Sequence, residues 1–332
     1  MTRRNSIVFV LMMIAGVGIF YWSFKNVSMN QLAHDLSNAN WWWLLVAVLA
    51  MVAYLLIESV VVKIFVDDSH EKLSWSNAVR IPLVEQFGNG ITPFAAGGQP
   101  MQLITLIQAG VDPGRAGSIL LMKFVVYQAM IVVNFFVAMV VGYEFIADKL
   151  KAWAWFLVLG FLIHFVVIVG LLLVMYWPGL TRTLVKIGFK PVQWVKPDKV
   201  TDWQILVNEK IDNFHAESIR MSHDWLVLIK AVILTLIQLL VYYLIPYFIL
   251  LALGAEHVNI ILVMSLHVLI VMVISLFPIP GGTGGAEIGF SMIFSTFLPN
   301  AGLLVCAMFL WRIITYYLGM FAGIIAFNIK SK

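Results

Sequence analysis

Five ionisable residues lie inside stretches that are otherwise apolar: Glu58, Glu85, Lys123, Glu287 and Arg312. A charged side chain at the centre of a membrane helix costs about 2.5–3.5 kcal/mol on insertion scales, so such groups face cavities or partners. Their order along the chain is regular. Glu85 precedes the run ITPFAAGGQP and Lys123 follows it; Glu287 closes the run PIPGGTGGAE and Arg312 follows that. Each half of the chain therefore offers one Gly/Pro break, one acid and one base. Broken helices in corresponding halves point to a substrate site between repeats, where half-helix N-termini face an anionic group. Gly97 and Gly98, with Gly281, Gly282, Gly284 and Gly285, let backbone amides approach such a group closely. Arg312 would grip a phosphate with two parallel hydrogen bonds, and Lys123 would act as a compact point charge. Glu85 and Glu287 would balance charge or couple protons. The plainer alternative is that these acids and bases pair with one another and hold a bundle together.

Other candidates carry less chemistry. Glu58 is a single acid that can serve by bonding a neighbouring helix, and His164 and His267 read as satisfied packing residues. Asp67, Asp68, His70 and Glu71 form a solvated turn rather than a metal site. The glycines of GGTGGAE make no nucleotide loop, because no Lys-Ser/Thr follows them and no strand precedes them. One cysteine, Cys306, excludes an internal disulfide or a cysteine-based metal site. No catalytic residue, metal or cofactor is expected.

The elements that must position these groups follow from composition. Of 332 residues, 62% are hydrophobic and 11% charged, with a mean hydropathy of +0.95. A globular domain carries roughly 25% charged residues, so the solvent of this chain is lipid. A net charge of +4 and a pI near 9.1 do not imply nucleic acid, since the basic residues cluster between apolar runs, as topology control requires. Runs long enough to cross a bilayer are Ile7–Phe24, Trp41–Val66, Ile119–Tyr143, Trp155–Trp177, Trp225–Leu253, Val258–Phe277 and Gly302–Ile329. Trp41, Trp42, Trp43, Trp155, Trp177 and Trp225 mark their interfaces. The first run exceeds a signal-peptide core and has no small-residue cleavage site after it, so it reads as an uncleaved span. Pro246 should kink its helix.

Segments 81–109 and 277–298 are too apolar for exposed loops and too rich in Gly and Pro for plain helices. They read as broken or re-entrant helices facing a cavity. The placement of Lys and Arg puts the N-terminus and segment 179–224 inside; letting 286–298 cross as a short half-helix gives eight crossings with both termini cytoplasmic. The fold class is thus all-α, a polytopic membrane helix bundle of about eight spans with an internal repeat. It forms a single integral membrane domain, 1–332: a first half 1–177, a cytoplasmic amphipathic linker 178–224 and a second half 225–332. In the linker, Thr201 and Gln204 fit a capping box ahead of Trp203, Leu206, Val207, Ile211 and Phe214.

At the two Gly/Pro segments the sequence resembles the lysylphosphatidylglycerol synthase transmembrane family, also described as flippase-like. That family includes the membrane half of the multiple peptide resistance factor. The matching residues are NGITPFAAGGQP (Asn89–Pro100), Gly110 and Lys123, then PIPGGTGGAE (Pro278–Glu287) and the WRIITYY run with Arg312. The resemblance extends over most of the chain and implies a module of the inner (plasma) membrane that moves lipids between leaflets. It adds Asn89, Thr92, Pro93 and Pro280 to the substrate-binding candidates. The chain stops after its last span, so the soluble aminoacyl-transferase domain and its synthase activity are expected to be absent.

The function expected is translocation of a phospholipid or glycolipid with a polar or anionic headgroup. The alternatives are a membrane-embedded lipid-modifying transferase, or a partner subunit of a separately encoded lipid-modifying enzyme that docks on segment 179–224. The partner common to all three is a membrane lipid.

Overall fold

A computed structural model describes residues 29–67, 72–145, 154–195, 200–298 and 300–329. The expected first span, most of the Asp67–Glu71 turn, the capping-box side chains Thr201 and Gln204, and the terminal lysines lie outside the described residues or side chains. What is described is helical, joined by turns. A short helix α1 (Met29–Ser37) leads to α2 (Trp41–Val66), which starts at Asn40, whose side chain accepts the Trp42 N–H. Next come α3 (Trp75–Ile91), a tight turn at Pro93–Ala95, α4 (Gly98–Gln108), α5 (Pro113–Val141) and α6 (Ala154–Tyr176). Two polar helices, α7 (Pro178–Val195) and α8 (Val200–His223), separate the halves. The second half holds α9 (Trp225–Tyr243), α10 (Ile245–Ala252), α11 (Ile260–Ile274), a turn at Pro280–Gly282, α12 (Gly285–Phe294), α13 (Ala301–Arg312) and α14 (Leu318–Asn328).

Five of these stretches are long and apolar enough to cross a membrane: Trp41–Val66, Pro113–Val141, Trp155–Tyr176, Trp225–Ala252 and Ala301–Asn328. The break between α9 and α10 falls at Leu244, just ahead of Pro246, which has no N–H to continue the ladder. Residues 313–317 form a π-helical turn between α13 and α14. The extra residue in that turn swings Tyr316 toward the first half. Helix α8 lies on the bundle: Ser118 Oγ of α5 donates to Phe214 O at 2.7 Å.

The two broken segments are the least regular part of the fold. Helices α3 and α4 pack against each other as a hairpin, and α11 packs against α12 in the same way. At 15 and 10 residues, α11 and α12 are about 22 and 15 Å long, each shorter than a hydrocarbon core of about 30 Å. The two apolar passes expected over 258–298 are therefore the arms of one hairpin. The hairpins start from opposite ends of α2. The first follows the Val66 end, where Arg115 Nη2 donates to Val66 O at 2.9 Å as the chain enters α5. The second follows α10, whose Ala252 O accepts the Asn40 N–H at 2.8 Å at the other end of α2. Their turns, Pro93–Ala95 and Pro280–Gly282, meet one another, the first of them exposed on its outer side.

Candidate functional site

Each turn is built differently. In the first, Thr92 Oγ1 accepts the Gly97 N–H at 2.8 Å and donates to Gly88 O at 2.7 Å, closing the loop with one hydroxyl. Phe94 and Ala95 both sit at φ 54°, a left-handed backbone that costs a side-chain-bearing residue energy. Gly98 sits close to the Asn89 side chain, which a Cβ there would push aside. In the second turn the left-handed positions are glycines: Gly281, Gly282 and Gly284 at φ 65°, 61° and 92°. The Gly284 N–H donates to Glu287 Oε2 at 2.6 Å, so Glu287 caps the N-terminus of α12. The anion that the sequence reading sought at this helix end is thus supplied by the chain itself.

The charges cluster around these turns. Lys123 of α5 reaches Glu58 of α2, lies 2.9 Å from Glu85 Oε2 of α3 and donates to Gln102 Oε1 of α4 at 3.1 Å. Gln102 Nε2 in turn donates to Glu58 Oε1 and to Glu85 Oε2. Gln99 Nε2 lies 3.3 Å from Glu85 Oε1, Gln238 Nε2 of α9 lies 3.4 Å from Glu58 Oε2, and Asn89 also hydrogen-bonds Glu85. Five helices converge here on a group of which Gln102 is fully buried and Glu58 is 3% exposed.

Across the turns, Arg312 is bound to the second hairpin. Its Nη1 donates to Gly281 O at 2.8 Å and its Nη2 to Thr283 Oγ1 at 3.3 Å. Its Nε lies 3.0 Å from Glu287 Oε1, an ion pair without hydrogen-bond alignment. The guanidinium also stands 4.8 Å from the centre of the Tyr316 ring. Tyr316 joins the halves, because its hydroxyl donates to Gly90 O at 2.6 Å while its ring fills the space a Cβ on Gly281 would need.

Between the two groups lies a cavity of about 590 Å³. It is lined by Glu58, Glu85, Asn89, Lys123, Gly281, Gly282 and Arg312 among the ionisable and turn residues, and by Phe94, Tyr127, Tyr242, Trp311 and Tyr316 among the aromatics. Of the predicted site residues, Thr92, Pro93, Gly97, Gly98, Pro280, Gly284 and Glu287 build the turns or their caps. Lys123, for which the sequence left both a point charge for phosphate and pairing with an acid open, directs its three N–H groups to two carboxylates and an amide. The sequence reading gave Glu58 a secondary place and did not single out Gln102, Gln238, Thr283 or Tyr316. An acid in the middle of the long apolar run Trp41–Val66 was the one signal available. His164 lines the cavity and meets Gln128 Oε1 at 2.9 Å. His267 is fully buried, with Nε2 accepting from Trp311 Nε1 at 3.2 Å, which places it in the packing.

Long apolar helices around a hydrated-size cavity with paired ions define a multi-pass helical membrane protein. Comparison with known sequences makes this specific. Residues 6–323 match the family described as the lysylphosphatidylglycerol synthase TM region, and the chain belongs to that family. It is also similar to a UPF0104 membrane protein of Archaeoglobus fulgidus, with 26% identity over 311 residues, covering 90% of each chain. Membership of this family implies a membrane, lipid-related role.

Proposed function

We propose that this protein moves a phospholipid or glycolipid with a polar headgroup between the leaflets of the cell (inner) membrane. The observation that carries the reading is the meeting of two hairpin turns, from opposite ends of α2, at one cavity lined by ionisable groups of both halves. Irregular backbone at membrane depth is stable only against protein or a wet cavity. Two hairpins that enter from opposite leaflets and meet at the midplane suit a site exposed alternately to either side. The headgroup would pass through the cavity past Asn89, Gln86 and Gln99, while the acyl chains stay among the aromatic and aliphatic side chains facing lipid. Under this reading both hairpins are re-entrant and both termini are cytoplasmic.

Headgroup-labelled phospholipids and glycolipids in proteoliposomes test the proposal. The inner-leaflet pool of at least one lipid class should become accessible to a membrane-impermeant quencher faster than in protein-free vesicles. Equal protection in both, across both lipid classes and with either sign of pH gradient and membrane potential, would remove the translocase reading.

A further inference from the structure

The ions around Lys123 do not balance. Three N–H groups of Lys123 go to Glu58, Glu85 and Gln102, and both carboxylates receive the Gln102 amide as well. The charged groups that face Glu58 are Glu85 of α3 and Lys123 of α5. The other titratable neighbours are Tyr54 on its own helix and Tyr127 of α5, whose hydroxyls lie 3.3 Å apart. From α4 and α9 it meets only the amides of Gln102 and Gln238. Arg312, the other cation on the cavity wall, is committed to Glu287 and the second turn. Two ionised carboxylates on one ammonium would leave a net negative charge on side chains that are nearly excluded from solvent, and such a charge is neutralised rather than left.

We propose that Glu58 and Glu85 share one exchangeable proton over Lys123, making this cluster a proton-binding site that opens onto the cavity. The proton comes from cavity water and forms a carboxyl O–H; when the site opens again that bond breaks, and the proton leaves to water. Glu287, which the sequence reading paired with Glu85 for this role, is matched one-to-one by Arg312 and has no excess charge to neutralise. Resting on the translocase reading for this step alone, headgroup passage would be coupled to that proton, since Glu58, Glu85 and Lys123 line the same cavity.

Infrared spectroscopy of the purified protein in detergent reads the site without any lipid movement. Stepping between about pH 6, above the range of ordinary carboxyl groups, and about pH 10, near that of an ordinary lysine, should gain and lose the carbonyl band of one protonated carboxyl group. Glu58→Gln leaves Glu85 and Lys123 balanced, so the band should vanish while the thermal midpoint holds. A band that survives Glu58→Gln at full amplitude overturns the assignment. So does its absence from wild type together with stabilisation by sodium chloride over choline chloride, which would make this a metal-cation site. In proteoliposomes a pH gradient should accelerate headgroup movement in wild type and not in Glu58→Gln. An intact band with movement indifferent to the gradient would overturn the coupling; an intact band with no movement at all would count against the translocase reading instead.

Discussion

The first hairpin fixes its turn with side chains and leaves two residues in left-handed backbone, whereas the second fixes its turn with glycines and an arginine bound to backbone oxygen. Their charges differ in the same sense. Arg312 and Glu287 form a balanced pair within one half, tied to the turn itself. Glu58, Glu85 and Lys123 draw on three helices and carry an unmatched acid. The comparison teaches that two segments of similar sequence pattern are built differently: the second ties its balanced ion pair to its own turn, and the first holds a cluster with one acid in excess.

The largest expected effect breaks the first cluster. Lys123→Met removes the only cation from two buried carboxylates, and loss of one partner of a buried ion pair costs about 3–5 kcal/mol. Thermal unfolding in detergent should show this, and adding Glu58→Gln should restore part of the loss. Arg312→Met should cost less, because Glu287 keeps the Gly284 N–H as a partner and its side chain is 19% exposed. Equal losses would erase the distinction between the two sites. Backbone strain sharpens the comparison at the next level. Gly282→Ala places a Cβ at φ 61° against Ile274 and should destabilise by about 1–3 kcal/mol. Gly98→Ala meets only the turnable Asn89 side chain and should cost less in the same melt. The smallest effect is Tyr316→Phe, which leaves Gly90 O without its donor and should cost about 1 kcal/mol. Faster hydrogen exchange at the first turn, with the second unchanged, would be its signature.

Much of this architecture was legible in the sequence. Apolar runs marked α2, α5, α6, α9 and α13–α14, with tryptophan at the ends of α2, α6 and α9, because lipid imposes a composition that needs no tertiary information. The Gly/Pro runs marked both turns, although only the second places its glycines in left-handed backbone; in the first those positions fall to Phe94 and Ala95. What stayed hidden depends on contacts distant in sequence. Val258–Phe277 has the hydropathy of a span, and only its packing against α12 makes it a hairpin arm. Glu58 gained its meaning from Gln102 and Gln238, 44 and 180 residues away. Tyr316 looked like one more aromatic until the π-helical turn aimed it at Gly90. The sequence also paired each acid with the base of its own half, but could not show that a third carboxylate joins the first pair.

The central claim is that a lipid headgroup passes through the cavity where the hairpin turns meet. Ser275 lines that cavity and belongs to neither ion cluster; its hydroxyl donates to Met272 O at 2.6 Å. Ser275→Trp should fill the space without disturbing the charges. Headgroup movement in proteoliposomes, measured beside wild type, tests the claim most directly. The account expects movement in wild type and its loss in Ser275→Trp at a similar thermal midpoint; movement at the wild-type rate in the filled variant would contradict it.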